Sequence, residues 1–241
     1  MMNRQRRIFL IVPAVVLAVA TPAMGRTVTF SGQQWTVKNS VAKVGPGPNI
    51  FSESQRNVFV DRRGRLHLRL TRVATRGARD GVWYSAEVIG TQSLGYGTYS
   101  WTIDSRLDRF DPNVVLGLFT WSNDPAYNNR EIDIEFTRFG NPRNPFNADR
   151  TVSPYTKLEN NAPFVQPASR RSIHSFTWAP NQVTFRNSNR LFAQWTFTGS
   201  DVPRAGDETP RMNLWLFQGR TPKRAKTIEV IISDFRFTPL G

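Results

Sequence analysis

The chain has 241 residues and a formal net charge of +14, from 32 lysines and arginines against 18 aspartates and glutamates. It contains no cysteine, which excludes a disulfide framework and thiolate chemistry. Its two histidines, His67 and His174, stand alone, read as structural residues, and argue against a His/Cys zinc centre.

The N-terminus reads as a targeting segment. "MMNRQRR" is a basic region, "IFLIVPAVVLAVA" an apolar one, and "TPAMG" ends in small residues with Ala23 and Gly25 spaced for signal peptidase. Pro13 interrupts the apolar run, which is shorter than the roughly 20 residues of a membrane span. An uncleaved anchor is the alternative. Residues 1–25 are therefore expected to be removed and residues 26–241 to be exported, secreted or periplasmic, with no transmembrane segment remaining. Subtracting Arg4, Arg6 and Arg7 from +14 leaves +11 on that product. The basic residues are scattered, so they read mainly as a solvated surface, with attraction to polyanions as the competing reading.

After the leader, strands dominate. "GRLHLRLTRV" alternates Leu66, Leu68 and Leu70 with polar residues, the period of a half-buried strand. "GTYSWTID", "VVLGLFTW", "EIDIEF", "SFTWAP", "QVTFRN", "FAQWTF", "RMNLWLF" and "IEVIISDFRF" follow as further short β-rich runs. Turn signals such as Gly45–Pro46–Gly47–Pro48, Arg63–Gly64 and Asn123–Asp124–Pro125 separate strands, and no segment sustains a helical period. Many short strands without helices predict one all-β domain, a sandwich or barrel. The stretch from Phe139 to Pro163, rich in Asn, Pro and Arg, reads as a long loop.

Within "REIDIEF", Glu131, Asp133 and Glu135 occupy every second position, and Ile132, Ile134 and Phe136 the alternate ones. In a strand all three acids share one face, where they repel, while the apolar residues anchor the other. Chemistry would justify that repulsion. A retaining glycosidase needs a nucleophilic carboxylate and a proton-donating carboxyl about 5–5.5 Å apart. Neighbouring charge raises the pKa of the donor so that it keeps its proton near neutrality. A solvated acidic strand is the alternative.

"EIDIEF" resembles the E-x-D-x-E signature of glycoside hydrolase family 16, and the resemblance runs in order through nearly all of residues 26–241. "NVFVDRRGRLHLRL", "LGYGTYSW", "VVLGLFTWS", "FTWAPNQVTFRNSN", "RMNLWLF" and "ISDFRF" each look like a segment of that family. The single residue between Asp133 and Glu135 is similar to the lichenase and xyloglucan endotransglycosylase branch. The resemblance implies a β-jelly-roll sandwich of two curved antiparallel sheets, concanavalin A-like, with a cleft on the concave face. It implies Glu131 as nucleophile, Asp133 as its orienting partner and Glu135 as general acid/base. Glu87, Phe119, Trp121, Asn213 and Trp215 match sugar-binding or cleft-lining positions; taken singly, the two tryptophans are equally readable as core. Asp234 and Gly64 match positions that hold a structural calcium in family members, and no other cofactor is implied. Three positions depart from the branch: Asn129 stands where an aromatic is usual, Arg130 replaces an acidic neighbour, and Ile89 stands where an arginine follows the sugar-binding glutamate.

The expected function is thus an exported, monomeric, retaining endo-acting glycoside hydrolase of a β-linked polysaccharide, or a transglycosylase. The competing readings are a non-catalytic glycan-binding protein on the same fold and a basic protein that binds an anionic envelope polymer. Nucleic acid is not an expected partner, since no binding motif is present. If the cleft accepts an anionic glycan, Arg130 and Arg138, which flank the acidic strand, are expected to line its rim.

Overall fold

The computed structural model describes residues 25–76, 78–188, 194–223 and 226–241, so the expected leader lies outside it except for Gly25. In chain order the strands are β1 Thr27–Phe30, β2 Gln33–Val37, β3 Ile50–Phe51, β4 Val58–Val60 and β5 Leu66–Thr75. Then come β6 Ala78–Gly90, β7 Gly97–Ile103, β8 Val114–Trp121, β9 Ile132–Phe136 and β10 Ala148–Val152. β11 Ser172–Ala179, β12 Gln182–Asn187, β13 Gln194–Phe197, β14 Thr209–Leu216 and β15 Ile228–Pro239 complete the set.

These strands form a sandwich. One layer runs β10-β9-β8-β14-β6-β2-β1 and the other β4-β5-β15-β7-β11-β12-β13. The long strands β5 and β6 belong to both: Thr71 to Val73 pair with Tyr84 to Val82, while the other half of each strand pairs within its own layer. The pairing is antiparallel throughout except for the short β3, which lies parallel to β6. Among the described residues the helical segments are three-residue 3₁₀ turns, and none is long and apolar enough to cross a membrane.

The alternation read in the sequence sets the core. Leu66, Leu68 and Leu70 of β5 are fully buried, as are Trp35, Trp101 and Trp178 from strands in both layers. Burying a leucine completely contributes roughly 1.5–3 kcal/mol, so this face is what holds the layers together. β8 is buried on both faces. Val114, Leu116 and Leu118 enter the core between the layers, while Val115 packs with Phe51 and Trp215 on the opposite, concave side.

The stretch from Phe139 to Pro163 is not one loop. It contains β10 and a 3₁₀ turn at Leu158–Asn160. "ADRTV" conceals its strand because Arg150, a residue that reads as exposed, occupies an inward position beside Ile134, its guanidinium over the Phe164 ring at 4.5 Å.

Candidate active site

β9 runs between β8 and β10 and turns Ile132, Ile134 and Phe136 into the core, all at most 1% exposed. Its period of two then sends Asp133 and Glu135 to the concave side. Glu131, extended at φ −84° and ψ 123°, continues that row just ahead of the strand. The chain arrives there through four successive left-handed residues, Tyr127, Asn128, Asn129 and Arg130, with φ of 53°, 53°, 60° and 51°. Each such non-glycine residue costs about 1–2 kcal/mol. Local bonds hold the turn. Ser122 N donates to Asn129 O at 2.7 Å, Asn129 Nδ2 to Ser122 O at 3.0 Å, and Thr120 Oγ1 to Arg130 O at 2.8 Å.

Register explains the rest of the site. Asp149, Glu135, Gly117, Asn213 and Glu87 are successive cross-strand partners on β10, β9, β8, β14 and β6. Thr151, Asp133, Phe119, Arg211 and Ile89 form the neighbouring rung. Partners across a sheet point to the same face, so residues spread over 126 sequence positions meet on one surface. Gly117 is required there. A Cβ on it would lie 2.6 Å from Asn213 Oδ1, the oxygen to which its own N–H donates at 3.1 Å.

This surface encloses an open cavity of about 410 Å³. Glu131, Asp133, Glu135, Glu87, Phe119, Trp121, Asn213 and Trp215, all of the site residues expected from the sequence apart from the calcium pair, line it together. Lys38, Gly45, Pro46, Gly117, Asn123 and Arg211 line it as well. Trp215 Nε1 and Arg211 Nε are buried without a hydrogen-bond partner.

The carboxyl groups differ in their surroundings. Burial raises Glu131, but Ser153 Oγ donates to its Oε2 at 2.7 Å and the Arg211 charge also favours its ionised form. Burial, with the charge of Glu131 and Asp149, pushes Glu135 up to about 8. Burial first, then Glu131, Glu135 and Asp149, holds Asp133 well above the usual carboxylate range. Asp149 is pushed by burial up to about 6. Near neutral pH one outer glutamate therefore has a donor and a cation beside it, and the other keeps its proton.

Several residues behave differently from expectation. Glu87 is on the cavity wall, but Lys38 Nζ lies 2.9 Å from its Oε2 and Arg211 Nη1 3.6 Å from its Oε1. Ile89 does leave a gap in its own strand, and Arg211, its direct partner on β14, brings a guanidinium to that place. Arg130 is not at the rim. It is buried, donates to Arg204 O at 3.1 Å, and sits 3.2 Å from Asp124 and 3.5 Å from Asp207. Arg138 turns to the Asn144 and Phe146 carbonyls instead of the cavity. Neither arginine lies within β9: Arg130 ends the left-handed turn before it and Arg138 lies beyond its last residue, so the alternation of the strand does not carry them to the row of acids.

Asp234 accepts from Ser31 Oγ at 3.2 Å and lies 3.9 Å from the Arg236 guanidinium. Among the described residues no three His, Cys, Asp or Glu side chains gather as a metal-binding group. The calcium site that the resemblance implies, the Asp234 carboxylate with backbone carbonyls near Gly64, is not a side-chain cluster of that kind. His174 is buried against Ser172 Oγ at 3.0 Å and is pushed by burial down to about 3; His67 bridges Asp61 and Glu229 at 3.2 and 2.8 Å. Both are structural.

Sequence reasoning missed Lys38, Gly117, Arg211, Asp149 and Ser153. Arg211 and Gly117 were findable, lying two positions from Asn213 and Phe119 on strands already read. Asp149 and Ser153 were hidden with β10.

No family model and no curated protein matches this chain. Solved structures do. A Bacillus licheniformis β-glucanase superposes with a TM-score of 0.64 at 17% identity, over 86% of this chain and 92% of its own. A family 16 endo-glucanase of Bacteroides ovatus gives 0.62 at 14%, over 85% and 94%. An immunostimulatory antigen of Mycobacterium tuberculosis, described as a pseudo β-1,3-glucanase, gives 0.63 at 19%, over 86% and 91%. The chain has the β-jelly-roll sandwich fold of the family 16 glucanases.

Proposed function

We propose that this protein is an exported retaining endo-glycosidase of family 16 type, acting on a neutral β-linked glucan. The observation that carries the reading is the row Glu131, Asp133 and Glu135 on the wall of one open cavity shared with Phe119, Trp121, Asn213 and Trp215. Aromatic faces suit the C–H faces of pyranose rings, and the Asn213 amide suits sugar hydroxyls. Glu135 protonates the leaving glycosidic oxygen while Glu131 attacks the anomeric carbon and forms a glycosyl ester. Glu135 then takes a proton from water, which cleaves the ester with net retention. An acceptor sugar hydroxyl in place of that water gives transglycosylation by the same residues.

The choice of a neutral glycan follows from the cavity's charges. Lys38 and Arg211 are both drawn to Glu87, and three further carboxyl groups stand beside them. A uronate or sulfate would meet no unmatched cation there, despite the chain's net positive charge.

Release of reducing ends from mixed-linkage β-glucan, β-1,3-glucan, xyloglucan and a polyuronate tests the reading. Cleavage of a neutral glucan is expected. Cleavage of the polyuronate alone would overturn the substrate class, and no cleavage of any polymer would sink the hydrolase.

A second reading is glycan binding without cleavage, favoured by the Lys38 and Arg211 contacts that tie up both oxygens of Glu87. Saturable glucan binding with no released ends would establish it.

A further inference from the structure

β10 treats the two outer glutamates of the acidic row in opposite ways. Ser153, the residue after the strand, is 4% exposed and donates its hydroxyl to Glu131 Oε2 at 2.7 Å. Its backbone N–H also donates to Glu131 O at 3.1 Å, which fixes the two residues side by side. Asp149, near the other end of β10, is the direct cross-strand partner of Glu135. One glutamate thus faces a donor and the other a carboxylate. On the far side of Glu135 stands Gly117, which has no side chain to intervene.

The remaining charges do not erase this difference. Glu131 and Glu135 share Asp133 on their own strand. From β14, Arg211 reaches Glu131 and adds to the effect of Ser153. Glu87 on β6, two rung positions beyond Gly117, is matched by Lys38 and Arg211. Arg150 of β10 interacts with Asp149 from the strand's other face, with its guanidinium over Phe164.

We propose that β10 biases charge and proton within the catalytic pair, Ser153 favouring Glu131 as the carboxylate and Asp149 adding its charge to the burial and the Glu131 charge that keep the proton on Glu135. Both are positioning residues, and their consequence for catalysis rests on the hydrolase reading above. Ser153 gives the nucleophile a hydrogen bond besides the orienting role that the resemblance gives to Asp133. Asp149, pushed by burial up to about 6, is ionised near neutral pH, where Glu135, pushed up to about 8 by burial, Glu131 and Asp149, still holds its proton.

The test needs no substrate. Carboxyl ¹³C NMR titrations of Glu131 and Glu135 are recorded for wild type, Ser153→Ala, Ser153→Thr and Asp149→Asn. Removing the hydroxyl withdraws a bond that favours the ionised form, so the Glu131 midpoint should rise by roughly 1 pH unit in Ser153→Ala and return in Ser153→Thr. Removing the Asp149 charge relieves repulsion, so the Glu135 midpoint should fall by roughly 1 unit. With a cleavable glucan, the acid limb of kcat/KM should move up in the first variant and the alkaline limb down in the last. A midpoint that stays in place overturns the assignment for that residue. Shifted midpoints in a protein that cleaves nothing would leave the charge assignment standing and remove the hydrolase.

Discussion

At the residue scale, the two outer glutamates carry distinct chemistry that conservative substitutions separate. Glu135→Gln removes the proton donor and should reduce polysaccharide cleavage by about 10²–10⁴-fold, while an aryl glycoside with an acidic phenol, which leaves unaided, still forms the glycosyl-enzyme. Azide should then rescue that variant and give a glycosyl azide of retained configuration. Glu131→Gln removes the nucleophile, so no covalent adduct should appear by mass spectrometry and azide should give the inverted product. Retention of most activity by both variants would show that the acidic row is not the catalytic strand. Gly117 supplies a second test. A Cβ there would stand 2.6 Å from Asn213 Oδ1, so Gly117→Ala must displace the amide. Overpacking of this kind costs about 1–3 kcal/mol, which should appear in the urea midpoint together with weakened glucan binding. An unchanged midpoint and affinity would show that Asn213 moves aside without consequence.

At the element scale, β9 delivers its acids correctly only because the turn before it is held against its preference. Arg130 connects that turn to Arg204 O and to Asp124 and Asp207, its guanidinium 5.4 Å from the Tyr127 ring centroid. Gly206 makes room for it, since a Cβ there would lie 2.5 Å from Arg130 Nε. An arginine expected at the rim of the cleft instead braces the entry to the acidic strand. Arg130→Ala should destabilise the protein by about 1.5–3 kcal/mol, the range for hydrogen bonds to charged groups, measured by chemical denaturation. It should also lower kcat more than it raises KM, because Glu131 loses its fixed approach while the sugar-binding wall is untouched. A variant with wild-type stability and kcat would leave the left-handed turn self-supporting.

At the scale of the whole molecule, the acidic row makes stability depend on pH. Glu135 is raised from 4.5 in an unfolded chain to about 8 in the fold, so between those values the folded state binds more protons. That contribution to stability is fully present below about 4.5 and is lost as pH rises toward 8. Asp149, raised from 3.8 to about 6, acts in the same direction over a lower window. His174 acts oppositely: buried and neutral, pushed from 6.5 to about 3, it disfavours folding as pH falls through that range. Glu135→Gln removes the first contribution, together with the charge that Glu135 sets against Asp133. Its melting temperature should exceed that of wild type at pH 8, with the difference shrinking toward pH 5. A difference independent of pH would show that Glu135 ionises freely in the folded protein.

The sequence by itself determined the all-β layering and the common face of Glu131, Asp133 and Glu135, because a strand's period of two is a local property. It also supplied, through motif resemblance, Glu87, Phe119, Trp121, Asn213 and Trp215 as companions of that row. What it could not determine were pairings between strands distant in sequence. Register, set by packing across the sheets, placed Arg211 beside Ile89, Gly117 beneath Asn213, and Asp149 and Ser153 against the two glutamates. The same packing turned Arg130 inward, out of the cleft whose rim its position in the chain suggested. Local alternation fixes which side a residue faces within its own strand; only the assembled sheet decides which charges stand opposite it.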